Sequence, residues 1–208
     1  MREPTTLRRG EARERLLDLA ERTVLDKGFG ATSIEELIVG VGITKSAFFY
    51  HFKDKNALAQ ALIERYLEND TLILDTLFAR GDELSDDPLQ GFLIGLKLFA
   101  ETLGNLPEAH PGCLAASFVY QEQLFSADVR ALARAGALRW RARFRARFET
   151  IAARRPPRIP VDIEALADMA SAIVDGGITL GKSMKDPSIL PAQILHFRNY
   201  VRLLFDDV

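Results

Sequence analysis

Apolar residues recur at every third or fourth position along most of this chain, the period of one helix face, and no stretch rich in Val, Ile and Thr alternates as a strand would. Leu16, Leu17, Ala20 and Val24 predict a first helix from about Glu11 to Lys27, which Gly28 is placed to end through its permissive φ. Thr32 and Ser33 each stand three residues before a glutamate, as two overlapping capping boxes, and Ile34, Leu37, Ile38 and Val41 form the apolar face of a short second helix. Gly40-Val41-Gly42-Ile43 supplies a tight turn, and Thr44 is placed to cap a third helix running through His51. Two short helices joined by a glycine turn make a helix-turn-helix candidate.

Asp54 caps a long fourth helix that carries Leu58, Leu62 and Tyr66 at i, i+4, i+8 and runs on to Gly81. Further helices are expected over Leu89–Leu103, Cys113–Leu124, Ala127 to about Arg154, Val161 to about Lys185 and Pro191–Phe205, each separated by helix breakers such as Arg155-Pro156-Pro157 and Asp186-Pro187. The expected fold is all-α with about nine helices. It divides into an N-terminal helix-turn-helix domain over residues 1–53 and a larger helical domain over 54–208, connected by the fourth helix from about 54 to 80.

Composition narrows the class. The 208 residues are 48% hydrophobic and 27% charged with a net charge of −2, a globular balance that excludes disorder and low-complexity scaffolds. The longest apolar stretch, Phe92–Ala100, contains Lys97 and is far short of a membrane span; neither a secretory signal nor an internal disulfide partner for Cys113 is found, so no membrane association and a cytoplasmic location are expected. Charge is segregated along the chain: residues 64–111 hold 10 acidic and 3 basic residues, whereas 130–158 hold 10 basic and 1 acidic. An acidic middle repels a phosphate backbone, which leaves the N-terminal part or the arginine-rich stretch as the nucleic-acid candidate. Enzyme signatures are absent: there is no G-x-G-x-x-G, P-loop, G-x-S-x-G or H-E-x-x-H, and the three histidines are widely separated, so no catalytic residue, metal or cofactor is expected.

The stretch Phe29-Gly30-Ala31-Thr32-Ser33-Ile34-Glu35-Glu36-Leu37, followed by Gly42-Ile43-Thr44-Lys45-Ser46-Ala47-Phe48-Phe49-Tyr50-His51-Phe52-Lys53-Asp54-Lys55-Asn56-Ala57-Leu58, closely resembles the DNA-binding domain of TetR-family transcriptional regulators. Phe49 departs from the family's usual tyrosine and removes a hydroxyl that can bond a phosphate; Ser46 replaces a frequent glycine. A recognition helix presents its N-terminal side chains to base edges, which points to Thr44, Lys45 and Ser46, with Lys45 suited to guanine N7/O6. Phe49, Tyr50 and His51 follow on the same helix, Thr32, Ser33 and Lys55 sit at helix starts that favour phosphate, and Arg8 and Arg9 form an arm preceding the first helix.

The resemblance also implies a homodimer that binds palindromic double-stranded operator DNA and is released, as a repressor, by a small-molecule inducer. The pocket it implies draws on Phe92, Leu96, Phe99, Leu103, Cys113, Phe118, Trp140, Phe144, Met169 and Ile173, although such stripes are also what a plain core looks like. Cys113 after Pro111-Gly112 looks like the cysteine of electrophile-sensing members; its position at a helix start suits a thiolate, and a small buried apolar residue is the competing reading. One of Arg139, Arg141, Arg143, Arg145 and Arg147 is an alternative receptor for an anionic ligand, with solvation or pairing to acidic residues as the plainer reading. The dimer interface implied by the family lies on the last two helices, through Leu166, Ile173, Gly177, Leu180, Ile194, Phe197, Tyr200, Val201 and Leu204. The alternative function is a helical small-molecule-binding protein, or a DNA-binding protein without ligand control.

Overall fold

A computed structural model describes residues 9–206. Among the described residues the chain forms α1 (Arg9–Lys27), α2 (Ile34–Val41), α3 (Lys45–His51), α4 (Lys55–Leu84), α5 (Pro88–Gly104), α6 (Leu114–Tyr120), a 3-10 turn (Glu122–Leu124), α7 (Ala127–Arg154), α8 (Ile163–Met184) and α9 (Ile189–Phe205), with no strand. None of these helices is long and apolar enough to cross a membrane. The all-α fold is as expected, with two local differences. The predicted helix Cys113–Leu124 breaks at Gln121 into α6 and the 3-10 turn, and α4 continues through Gly81 to Leu84 instead of ending there.

Packing divides the chain into two units: the chain up to Glu68 together with Cys113–Arg134, and Asn69–Gly112 together with the chain from Ala135 onward. This differs from the division expected after residue 53, because Leu58, Ala59, Leu62 and Ile63 of α4 fill the same core as Leu16, Leu17, Leu37 and Phe48.

In the first unit the Phe29 ring is the meeting point. It packs against Phe118 at 5.8 Å and Phe125 at 4.6 Å between centroids, and those two rings stack on each other at 4.2 Å. The Lys55 ammonium lies 4.4 Å from the Phe29 centroid and donates to the Phe29 carbonyl at 2.7 Å. Gln121 reaches the same turn: its Oε1 accepts from the Gly30 N–H at 3.2 Å, and a Cβ on Gly28 would approach its Nε2 to 2.8 Å. Gly28 has φ 87, so glycine serves there both for backbone conformation and for the room Gln121 needs. The Ser126 N–H donates to Asn56 Oδ1 at 3.0 Å, which ties the start of α7 to α4. Arg65 of α4 reaches α1 through Asp18 at 2.7 Å, Glu21 at 2.8 Å and Glu14 at 3.3 Å.

The second unit is built on phenylalanines. Phe78 stacks on Phe92 at 5.4 Å; Phe144 and Phe148 meet Phe92 edge-on at 6.0 and 5.1 Å, and Phe148 extends the cluster to Phe197 and Phe205. Glycines allow α4 and α5 to cross closely: a Cβ on Gly81 would lie 2.2 Å from the Gly91 carbonyl oxygen, and one on Gly95 would lie 2.3 Å from the Phe78 ring. α9 packs along α5 and α8, with Leu190 seated on Gly177 and the Arg198 Nε–H donating to the Leu93 carbonyl at 2.9 Å.

Four arginines of α7 are paired with carboxylates. Arg141 makes a two-pronged contact with Asp168 of α8 at 2.7 Å for both bonds, Arg143 meets Asp75 at 2.8 Å, and Arg147 grips Asp82 at 3.0 and 2.9 Å while lying 4.6 Å from the centroid of Phe78. Arg145 pairs with Glu149 at 2.8 Å. The acidic middle and the basic stretch of the sequence meet in three ion pairs, Asp75 with Arg143, Asp82 with Arg147 and Asp87 with Arg155.

Two stability predictions follow from these packing contacts. Gly81→Ala improves intrinsic helix propensity by about 1 kcal/mol, yet its methyl must displace α5 backbone; thermal denaturation should show a net loss of roughly 2 kcal/mol or more. Gln121→Ala removes one side-chain hydrogen bond to the Gly28–Gly30 turn and should lower stability by about 1 kcal/mol in the same assay, with helix content by circular dichroism unchanged.

Candidate nucleic-acid interface

Backbone caps fix the geometry of α2 and α3. Ser33 Oγ accepts from the Glu36 N–H at 3.1 Å to start α2; Gly42, at φ 75, ends it by donating to Ile38 and Val39 carbonyls. Only Gly42, Ile43 and Thr44 separate α2 from α3, and Thr44 Oγ1 accepts from the Ala47 N–H at 3.2 Å to start α3. Leu37 of α2 and Phe48 of α3 are fully buried against Leu16, Leu17, Ala20 and Val24 of α1, so the opposite surface of α3 is held outward. Lys27 of α1 clasps Glu36 of α2 at 2.7–2.8 Å, and that bond holds the exposed Glu36 carboxyl below its ordinary pKa.

The outward surface of α3 carries Lys45, Ser46, Phe49 and Tyr50, with Phe49 44% and Tyr50 63% exposed. Thr44 and Ser46 share a hydrogen bond at 2.9 Å. His51 is half-buried and its ring stands edge-on to Tyr50 at 5.2 Å. Ser33 and Thr44 are exposed caps. Thr44, Lys45, Ser46, Phe49, Tyr50 and His51 lie together at and along α3, while Ser33 sits at the start of α2.

Two of the expected contacts are corrected. Thr32 is 1% exposed, and its hydroxyl donates to the Gly28 carbonyl at 3.0 Å; it locks the turn and is not presented to solvent. Lys55 is half-buried on Phe29, and burial depresses its ammonium pKa; its charge is anchored to the turn and not held out toward a phosphate. Arg8 and the side chain of Arg9 lie outside the described residues. Gln121 and Phe118, which brace the α1–α2 turn, carry no sequence signal for that role, since Gln121 lies 91 residues from its partner Gly30.

The expected pocket set is divided between the two units. Cys113 and Phe118 belong to the first unit, where Cys113 Sγ accepts from the Ala116 N–H at 3.3 Å as the cap of α6 and Phe118 is core. Phe92, Leu96, Phe99 and Phe144 are buried in the second unit, Leu103, Trp140 and Ile173 are half-buried, and Met169 is exposed. Trp140 Nε1–H donates to Asp70, whose carboxyl is pushed up by burial against the opposing pull of that bond and of Arg143 and Arg139. An open cleft of about 590 Å³ lies instead between the second half of α4 and the middle of α7; it is lined in part by Asp75, Phe78, Asp82, Asp86, Arg143 and Arg147, and by none of the ten expected residues. Phe92 and Phe144 of the expected set are in ring contact with Phe78, and Phe92 also with Phe148. The anion reading of the α7 arginines is likewise weakened, because Arg141, Arg143, Arg145 and Arg147 already have carboxylate partners.

The expected interface set on α8 and α9 also divides. Leu166, Gly177, Ile194, Phe197, Val201 and Leu204 are buried within their own unit, since the same helical period that marks an apolar stripe marks the faces by which α8 and α9 pack on each other and α9 on α5. Ile173 is half-buried, whereas Leu180 and Tyr200 face outward with Met169, Met184, Leu195 and Leu203.

Comparison with known proteins places this geometry. Residues 16–62 match the family described as bacterial regulatory proteins, tetR family. Over 57 residues the chain is 42% identical to the HTH-type transcriptional regulator YerO of Bacillus subtilis, and over 54 residues 37% identical to the HTH-type transcriptional regulator AcrR of Shigella flexneri. These alignments cover 27% and 26% of this chain and only 20% and 25% of those proteins. A TetR-family transcriptional regulator from Agrobacterium tumefaciens has the same fold, with a TM-score of 0.76 at 18% identity over 95% of this chain and 100% of that one. The N-terminal segment is thus similar to the DNA-binding part of tetR-family regulators, and the chain as a whole shares the fold of a TetR-family structure.

Proposed function

We propose that this protein is a homodimeric DNA-binding transcriptional regulator, a repressor that leaves a palindromic operator when a small molecule binds, and that it has no catalytic activity. The observation that carries the reading is the outward face of α3, Lys45, Ser46, Phe49 and Tyr50, mounted by two capped turns on a buried core within the family's helix-turn-helix segment. A helix so presented fits the major groove, and regulators are what YerO and AcrR are named.

Dimerisation is supported by α8. Met169, Ala172, Gly176, Leu180 and Met184 are exposed and recur at helical spacing, and a Cβ on Gly176 would meet nothing within 4 Å. Small and apolar residues in one outward stripe let a second helix approach closely, and a two-fold dimer sets two recognition helices on two half-sites. With Tyr200 and Leu203 of α9, this stripe replaces the buried residues of the sequence-based set.

Ligand control is supported by the family's architecture and by α4, which runs continuously from the first unit into the second and borders the cleft between α4 and α7. The cleft's volume is in the range of small-molecule sites. A ligand switches such a protein only through different affinity for two α4 positions.

Fluorescence anisotropy on DNA flanking the gene, over a salt series and against a scrambled duplex, tests the core of the reading. Tighter binding to one palindrome than to scrambled DNA, with log affinity falling linearly in log salt, is the expected result. Equal binding to both duplexes at every salt concentration rejects it. Lys45→Ala should weaken binding to the palindrome roughly tenfold or more. Leu180→Asp should shift the protein from dimer to monomer in sedimentation velocity and reduce palindrome affinity, while its circular dichroism stays helical.

A further inference from the structure

The polar inventory of α3 is small. Thr44 Oγ1 caps the Ala47 N–H and shares a hydrogen bond with Ser46 Oγ, so both hydroxyls have local partners. Lys45 is the exposed cation of the helix. Phe49 stands one turn further along the same row, four residues on, and is 44% exposed without a polar atom in its side chain. Its ring is set edge-on to the fully buried Phe48, 5.4 Å between centroids and 85° between planes, so the core fixes where it is presented.

A phenyl ring gains nothing from a phosphate oxygen or from a purine N7. Among the base edges of the major groove, the thymine 5-methyl group is the apolar feature it can cover, and the contact removes both surfaces from water. We propose, resting on the DNA-binding reading above, that Phe49 is a specificity-determining residue that selects a thymine in each half-site through its 5-methyl group. Lys45 and Phe49 then read one row: an acceptor on a purine and, about 6 Å along the helix, a thymine methyl roughly two base-pair steps away.

Deoxyuridine differs from thymidine by that methyl alone. The full-length protein is first used to select duplexes from a random library. Each thymine of the enriched palindrome is then replaced, symmetrically in both half-sites, by deoxyuridine, and binding is measured for the wild type and for Phe49→Ala. The proposal expects one replacement to weaken wild-type binding by about fourfold per half-site, the value of one buried methyl, and the same replacement to leave Phe49→Ala binding changed by less than about 1.5-fold on that scale. Because Phe49 is exposed, the variant retains the fold, which its thermal midpoint checks. If no thymine position responds, or if the response persists undiminished in Phe49→Ala, the proposal is overturned while the DNA-binding reading stands. If the library yields no enriched sequence, both fall.

Discussion

Burial of the Phe29 ring decides how this chain is divided. The residue sits in the turn between α1 and α2, but its packing partners, Phe118 and Phe125, come from a segment about 90 residues later, and Lys55 closes over the ring from α4. A helix-turn-helix of two short helices exposes too much of its own core to stand alone. Residues 113–134 supply Leu114, Phe118, Phe125, Val129 and Ala133 to cover it. The Gln121 amide, given room by Gly28, then braces the turn from which α2 departs, so the helix-turn-helix rests in part on residues outside the motif.

In the second unit two kinds of contact share α7. Its inward face contributes Phe144, Phe148 and Ile151 to the apolar core, and its flanks contribute arginines to α4 and α8. Most of these pairs are partly exposed, where a single ion pair contributes at most about 1 kcal/mol. Their larger effect is on specificity of packing, because the two-pronged contacts of Arg141 and Arg147 tolerate little change of register between helices. Arg147 adds contact with the Phe78 face, so its stem and head serve the same helix pair.

The outward face of α3 combines apolar and polar groups: Phe49 has no hydroxyl, Thr44 and Ser46 bond to each other, and Lys45 is exposed. Under the DNA-binding proposal, such a face would draw more of its discrimination from methyl contact and fit than one rich in amides and guanidinium groups.

Local rules in the sequence determined the helices and the motif. Caps at Ser33 and Thr44, the positive-φ glycines Gly28 and Gly42, and the period of the apolar residues act within a few residues of chain, so they can be read without a structure. The same reading placed Thr44, Lys45, Ser46, Phe49, Tyr50 and His51 on one helix and its cap. Tertiary structure alone decided which face of each helix is covered. It turned Thr32 and Lys55 inward, placed Phe118 in the first unit, stacked Phe92 on Phe78, and assigned Leu166, Ile194 and Phe197 to the core and Leu180 and Tyr200 to the surface. An apolar stripe has the same period whether it meets its own chain, a ligand or a second copy, because the hydrophobic effect rewards the area removed from water and does not depend on what covers it.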